Sequence, residues 1–355
     1  MRFPYFKRVL MVLLMVPFFS FLFIVNNFFL LIDHLLFFRF KKTQIKDPVF
    51  IVSMPRTGTT LLLHLLTSLN NEFTTMKLWE LIFAPSISQK LMIVFINRLD
   101  KKINSVIRRS VIYISDKIFK NLVTLHNTGL EQPEEDELVL LWSLSSPYLQ
   151  YFYPESNAFD ELLDFDKGMN SKRKKRIMKT YYRMVQRHNF VFNRNGNKRF
   201  LSKNPFMMSK IDSLNQQFTD AKILTINRCP NLIINSTINL SAMLFKSFSS
   251  VDLKNEIKTK IENTIKGWYF HSHEAFNRNN NLKHCYLSFD KLIKMDLSQC
   301  TMMLAFLGLD EDYVNKMAKT NYKKYKSKPK SPYQLKKYVE ADEIPFMKEY
   351  YREVI

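Results

Sequence analysis

The chain has 355 residues, enough for one large domain or two small ones, and at 46% hydrophobic and 24% charged it is not a disordered composition. Its 53 Lys and Arg outnumber 32 Asp and Glu and leave a formal charge of +21, which suits an anionic partner (nucleic acid, anionic lipid or a polyanionic small molecule) or simply a lysine-rich solvated surface. Cys229, Cys285 and Cys300 show no metal spacing and cannot all pair with one another, which favours a reducing compartment, and the six glycines are placed so that no G-x-G-x-x-G dinucleotide fingerprint exists.

Arg2, Lys7 and Arg8 precede an uncharged run from Val9 to Ile32. A bilayer core needs about 20 apolar residues of helix, so the length permits a span. The run is too long for a signal peptide and no small-x-small cleavage site follows it. Pro17 and the Asn26-Asn27 pair interrupt it, and Asp33, His34, Arg39, Lys41 and Lys42 end it. It reads as one span with basic flanks, or as a bent helix lying in one leaflet with residues 9–38 against lipid. A soluble hydrophobic hairpin is the third reading, and the Phe-rich continuity without a polar face weighs against it. Basic residues at both ends leave orientation undecided. Residues 1–42 are therefore expected to form a hydrophobic membrane-associating segment, joined directly to an α/β domain over 43–355.

PVFIVS (48–53) is a short β-branched run and predicts a buried strand. SMPRTGTT (53–60) follows it in the frame of a phosphate-binding loop, G-x-x-x-x-G-K-[ST], but with Ser53 for the first glycine and Thr59 for the lysine. A leucine-rich helix follows. Residues 81–125 read as helical, 134–145 as a helix entered through Pro133, and 147–170 as aromatic and turn-rich. A basic helix covers 172–188. Arg199–Lys203 and Lys222–Asn227 predict two more strands, each followed by proline and a helical segment. Lys283–Ser288 predicts a fourth, with a helix over 298–307. Residues 321–330 read as a basic loop. Strands alternating with helices predict an α/β domain: a three-layer, P-loop-like fold with a central parallel sheet and a helical insertion.

A strand-loop-helix turn aims backbone N–H groups at an anion, and the helix dipole favours it. Gly58 allows the close turn, Thr59 and Thr60 bring hydroxyls at the helix start, and Arg56 offers a fixed cationic fork. The missing lysine and the absence of a strand ending in Asp argue against a Mg-triphosphate. RCPNLIINS (228–236) ends a strand with Arg228 and places Ser236 two turns into the next helix, which suits a second phosphate.

Together these segments resemble the sulfotransferase family that uses 3′-phosphoadenosine-5′-phosphosulfate. PRTGTT, from Pro55 to Thr60, resembles its 5′-phosphosulfate loop, and RCPNLIINS resembles its 3′-phosphate motif. LSKNPF (201–206) is similar to a strand-end segment of bacterial and protein-tyrosine members, TGLEQPEEDEL (128–138) to a helix entry of the bacterial branch, and LSFDKLIKMD to a later family segment. The resemblance spans roughly residues 45–340. It implies sulfuryl transfer from that donor to an acceptor hydroxyl or amine, with no metal requirement, and a lipid or glycolipid acceptor is favoured by the adjoining membrane segment. Nucleic acid is not an expected partner.

The resemblance also supplies roles. Pro55 to Thr60, Arg228 and Ser236 hold the donor, Lys203 meets the leaving oxygen or sulfuryl group, Arg56 stabilises charge, and Glu80 is the general base. Glu72, the run Glu134 to Glu137, and His126 compete for the base, with the acidic run read mainly as a helix-dipole partner. His64 is expected to face the core. Tyr333, Lys326 and Lys328 are candidates for contact with the nucleotide. Trp79, Trp142 and residues 148–153 form either an acceptor wall or core. A small-molecule kinase and a non-catalytic basic membrane protein are the alternatives. The domain is expected on the cytosolic face of the membrane.

Overall fold

The computed structural model describes residues 4–69, 71–123, 129–249, 253–279 and 281–318. The expectations for His126 and for residues 321–333 lie outside them. Five strands, Val49–Ile51 (β1), Phe73–Thr74 (β2), Arg199–Lys203 (β3), Lys222–Asn227 (β4) and Lys283–Ser288 (β5), form an all-parallel sheet in the order β2-β3-β1-β4-β5. β1 is buried on both faces, as its unbroken apolar run requires.

Alternate residues of β1 serve opposite layers. Val49 and Ile51 join the leucines of helix Thr59–Thr67 (α2) and Met303, Leu304 and Leu307. Phe50 and Val52 join Met178, Tyr181 and Val185 in the larger core on the other face. The result is the three-layer α/β architecture expected from the sequence. The chain leaves β1 with β3 on one side and β4 on the other, so the carboxyl ends of β1, β3 and β4 open onto one crevice, where such sheets bind ligands.

The remaining helices, in chain order, begin with Pro4–Leu36 (α1), before the sheet. After α2 come Leu78–Ile82 (α3), Ile87–Lys102 (α4) and Val106–Val123 (α5), where one helical stretch was expected. Asp160–Leu163 (α6) and Phe165–Gly168 (α7) are single turns, and Ser171–Phe192 (α8) is the expected basic helix. Ile211–Gln217 (α9), Pro230–Phe248 (α10), Asn255–Arg278 (α11), Phe289–Lys294 (α12) and Leu297–Leu307 (α13) complete the set among the described residues. The helix expected at 134–145 is a 3₁₀ run over Asp136–Ser143, with a second 3₁₀ turn over Pro147–Tyr151.

α1 passes through Pro17 as one helix, and Leu13–Leu36 is long and apolar enough to cross a membrane. It is not separate from the domain. Asn26 donates to the Ile82 carbonyl at 3.0 Å and accepts from Gln89 at 2.7 Å, and Asn27 donates to the Trp142 carbonyl at 3.0 Å. Asp33, fully buried, accepts from the Ile87 and Ser88 N–H groups at the start of α4 and from Arg187 of α8 at 3.0 Å. Leu30 lies in the main core, and Phe19 stacks on Trp142. The expected division at residue 42 therefore cuts through packed and hydrogen-bonded structure.

Candidate active site

The loop after β1 is locked to β4. Ser53 Oγ donates to the Ile226 carbonyl at 2.8 Å and accepts from the Ile226 N–H at 3.2 Å. The Thr57 hydroxyl is buried and donates to the Met54 carbonyl at 2.7 Å, so it braces the loop rather than facing a ligand. Beyond Pro55, Arg56 adopts φ +67° and Gly58 φ +90°. A Cβ on Gly58 would also sit 3.0 Å from the ring of Phe289, so both conformation and space call for glycine there. Thr59 begins α2 and is buried, while Thr60 is half-buried at the crevice.

The second phosphate motif converges on the same loop. Arg56 Nε donates to Ser236 Oγ at 3.0 Å, across 180 residues of sequence. Arg228, beyond the end of β4, donates from Nη1 to the Arg56 carbonyl at 2.6 Å and lies 4.1 Å over the Phe289 ring. Two guanidinium groups, a serine hydroxyl and the start of α2 thus surround one concave turn. This arrangement suits a ligand with two separate anionic groups, and the absence of a loop lysine leaves no fitted partner for a γ-phosphate.

Lys203 closes the crevice from β3. Register sets it opposite Ile51, at the mouth of the loop. Its Nζ lies 3.4 Å from Thr60 Oγ1, 3.2 Å from Glu134 Oε1 and 3.1 Å from Glu135 Oε1. Its side chain is only 1% exposed. Burial opposes the charge, but Glu135 and Glu134 outweigh it and hold the ammonium above the ordinary lysine pKa.

These two carboxylates are what sequence reasoning undervalued. A single β-bridge between Lys77 and Pro133 pins their segment beside α3. The four-residue acidic run then divides. Glu134 and Glu135 meet Lys203, whereas Asp136 bonds Tyr181 at 2.8 Å and Glu137 bonds Lys210 and Asn204 in the core. Both Glu135 oxygens are engaged, one by Lys203 and one by the Tyr148 hydroxyl. Glu134 uses Oε1 for Lys203 and the Glu135 N–H, which leaves Oε2 without a partner among the described residues. A strand-end lysine in an apolar setting was the available signal, since such a charge requires a buried acid nearby.

Glu80 stands elsewhere. It is buried, accepts from the Lys77 N–H at 3.1 Å and bonds His188 Nδ1 at 2.8 Å, while His188 Nε2 reaches Thr74 at 2.8 Å. Burial raises its pKa, but His188 and the capped N–H overcome that and lower it below the usual range. A carboxylate so satisfied stabilises the start of α3 and has no hydrogen bond to the loop or to Lys203. Glu72 accepts from Tyr313 at 2.7 Å, beside β2. Trp142 is core, and Trp79 packs edge-on against Phe192. Asp166, Asp212 and His271 also bring potential metal-binding atoms within 4.8 Å of one another. Asp166 is occupied in bonding the Asp212 and Ser213 N–H groups at the start of α9, and Asp212 in bonding Arg278 and Asn279.

A family model described as "Sulfotransferase family" matches residues 48–313. Over 214 residues the chain is 30% identical to the omega-hydroxy-beta-dihydromenaquinone-9 sulfotransferase Stf3 of Mycobacterium bovis and to that of Mycobacterium tuberculosis. Those matches cover 59% of this chain and 49% of each relative, so the chain spans about half the length of the curated relatives it matches. Among solved structures, sulfotransferase STF1 of Mycobacterium tuberculosis aligns with a TM-score of 0.66 at 18% identity, over 86% of this chain and 80% of that one. Sulfotransferase STF9 of Mycobacterium avium aligns with a TM-score of 0.60 at 14% identity, over 80% and 70%. At these identities the two structures show a shared fold.

Proposed function

The chain belongs to the sulfotransferase family, and from that premise we propose that it transfers a sulfuryl group from 3′-phosphoadenosine-5′-phosphosulfate to a hydroxyl of a membrane lipid. The observation that carries this reading is the Lys203 ammonium, set between Thr60 at the phosphate loop and the carboxylates of Glu134 and Glu135. The donor, when bound, supplies an SO3 group whose departure leaves negative charge on a bridging oxygen. Lys203 and Arg56 stabilise charge developing there, as pre-placed cations in a dry crevice. Arg228 and Ser236 hold the 3′-phosphate, and the loop N–H groups with Thr59 and Thr60 hold the 5′ end. Glu134, with one oxygen open, takes the proton from the acceptor hydroxyl. Glu135 is fixed by Tyr148 and keeps Lys203 in place.

A lipid acceptor is supported by aromatic continuity from this point to α1. Tyr148 contacts Tyr151 at 5.9 Å between ring centres, and the next residue, Phe152, contacts Phe19 of α1 at 6.3 Å. An apolar acceptor tail can follow that wall from the lipid phase. The curated relatives are named for sulfating a menaquinone derivative, a lipid-like quinone, which agrees with this class. Three free thiols and the direct joining of α1 to the domain support placement on the cytosolic face.

The decisive test is calorimetric binding of 3′-phosphoadenosine-5′-phosphate to detergent-solubilised full-length protein without divalent metal. Micromolar binding that Arg228→Ala abolishes is expected, followed by labelled sulfate transfer to a membrane lipid extract. No such binding, with tight Mg-ATP binding instead, would overturn the reading in favour of a kinase.

A further inference from the structure

The α4–α5 hairpin carries its apolar side chains on the outside. Met92, Phe95, Ile96 and Leu99 recur at three- and four-residue spacing on α4 and are 45–59% exposed. Ile107, Val111 and Ile114 recur in the same way on α5 at 48–55%. Some polar groups of α4 point inward instead: Lys90 is buried and bonds the carbonyls of Ala84 and Pro85 at 2.7 and 2.9 Å. Asp100, also buried, accepts from the Ile107 and Arg108 N–H groups at the start of α5 and thereby fixes the turn of the hairpin. A soluble helix pair has the opposite polarity.

α1 is inverted in the same sense. Asn26 and Asp33 are buried against the domain, while Leu14, Phe18, Phe21, Phe28, Leu31 and Leu35 are all more than half exposed. Asp33 and Asn26 bond the first turn of α4 directly, so the two inverted surfaces belong to one rigid unit. Arg98, Lys101, Lys102, Arg108, Arg109 and Lys117 are exposed on the hairpin beside the apolar stripes.

We propose that the α4–α5 hairpin is a second membrane-docking surface, which lies in the interface of an anionic bilayer alongside α1. Apolar stripes flanked by Lys and Arg are the composition of an in-plane helix, with the stems in the acyl boundary and the cations on acidic headgroups. Continuity with α1 puts both surfaces against the same lipid. The concentration of one sign of charge around the patch disfavours a second copy of this chain as its occupant. Arg108 also forms a two-pronged ion pair with Glu131 at 2.6 Å, on the segment that carries Glu134 and Glu135. If the proposed chemistry holds, docking sets those carboxylates near the headgroups; the docking itself does not depend on it.

The test uses full-length protein with Cys229→Ser and single cysteines introduced by Phe95→Cys, Val111→Cys, Phe21→Cys on α1, or Lys175→Cys on the outer face of α8. Each carries an environment-sensitive fluorophore and is reconstituted in phosphatidylcholine vesicles with or without phosphatidylglycerol. Acyl-chain quenchers are expected to quench positions 95 and 111 several-fold more than position 175, and more strongly with phosphatidylglycerol present. Combined Lys101→Glu, Lys102→Glu and Arg109→Glu changes are expected to return both labels toward water while position 21 stays quenched. Labels at 95 and 111 that remain open to aqueous iodide, with position 21 in lipid, would overturn the proposal. Labels shielded from both quenchers, with cross-linking between copies, would replace it with a dimer interface. Retained binding of 3′-phosphoadenosine-5′-phosphate in each labelled variant separates failure of docking from failure of the enzyme reading.

Discussion

Lys203→Met removes the cation that Glu134, Glu135 and Thr60 share. It is expected to lower kcat for sulfuryl transfer by roughly 10²–10³-fold, with a smaller change in the donor KM; an unchanged kcat would remove Lys203 from the chemistry. Glu134→Gln should cost roughly 10²–10⁴-fold in kcat, as expected for a lost base. Glu135→Gln should lower kcat far less, because both oxygens of Glu135 are already engaged. Glu80→Ala is expected to act on stability instead. It strands His188 and uncaps α3, at about 1–3 kcal/mol, the cost of leaving a buried hydrogen-bonding group unpaired. A fully stable Glu80→Ala protein with no turnover would reverse this assignment. What was legible at this scale was local. Lys203 and Arg228 sit at or just beyond strand ends, Arg56 and Gly58 in the loop between β1 and α2, and Ser236 two turns into α10, all places that short-range pattern identifies, and the fold brings them to one crevice. The acids were not legible in the same way, because their partners are distant in sequence: His188 is 108 residues from Glu80, and Lys203 is 69 from Glu134.

α1 resembles an anchor by composition, yet its contacts make it part of the domain. A chain starting at residue 43 should therefore fail to give stable soluble protein: it loses Leu30 from the core, the Asn26 and Asp33 hydrogen bonds and the Phe19–Trp142 stack. Limited proteolysis of that truncation would show it, and a protease-resistant fragment with intact nucleotide binding would refute it. Asp33→Ala alone removes the counter-ion of Arg187 and two N–H acceptors at the start of α4, at about 3–5 kcal/mol, read as a lower melting temperature in detergent. β1 and β4 could be seen in the sequence because buried parallel strands carry apolar runs, and β3 and β5 because short apolar stretches there are bounded by charged residues. β2 could not. It is two residues long, and its pairing with Arg199 and Phe200 depends on β3 being in place. The inward hydrogen bonding of Asn26 and Asp33 was hidden too, since an interrupted apolar run does not reveal which way its polar residues face.

Stability should depend on pH through Asp136. Burial pushes its carboxyl up to about 7, against an ordinary value of 3.8. Between those values the folded state holds the proton that the unfolded chain releases, so its contribution is full below about pH 4 and is lost as pH rises toward 7. The loss is on the order of 2–4 kcal/mol. Asp136→Asn should flatten that part of the curve, measured as the difference between variant and parent in denaturant unfolding at pH 4.5 and 7.5; parallel curves would sink the assignment. The sheet order carries a further consequence, for how the molecule is made. β1 has no strand neighbour until residues 199–203 and 222–227 exist, and Asp33 waits 154 residues for Arg187. On the ribosome, α1 emerges before the sheet and α8, with its inward-facing polar groups still without the partners that will cover them. On the proposed membrane placement, its encounter with lipid precedes the closing of the sheet, and the half-made chain holds α1 in lipid until the rest is made. Refolding from denaturant without lipid should be slow and should lose material to aggregation, whereas synthesis in the presence of vesicles should spare it.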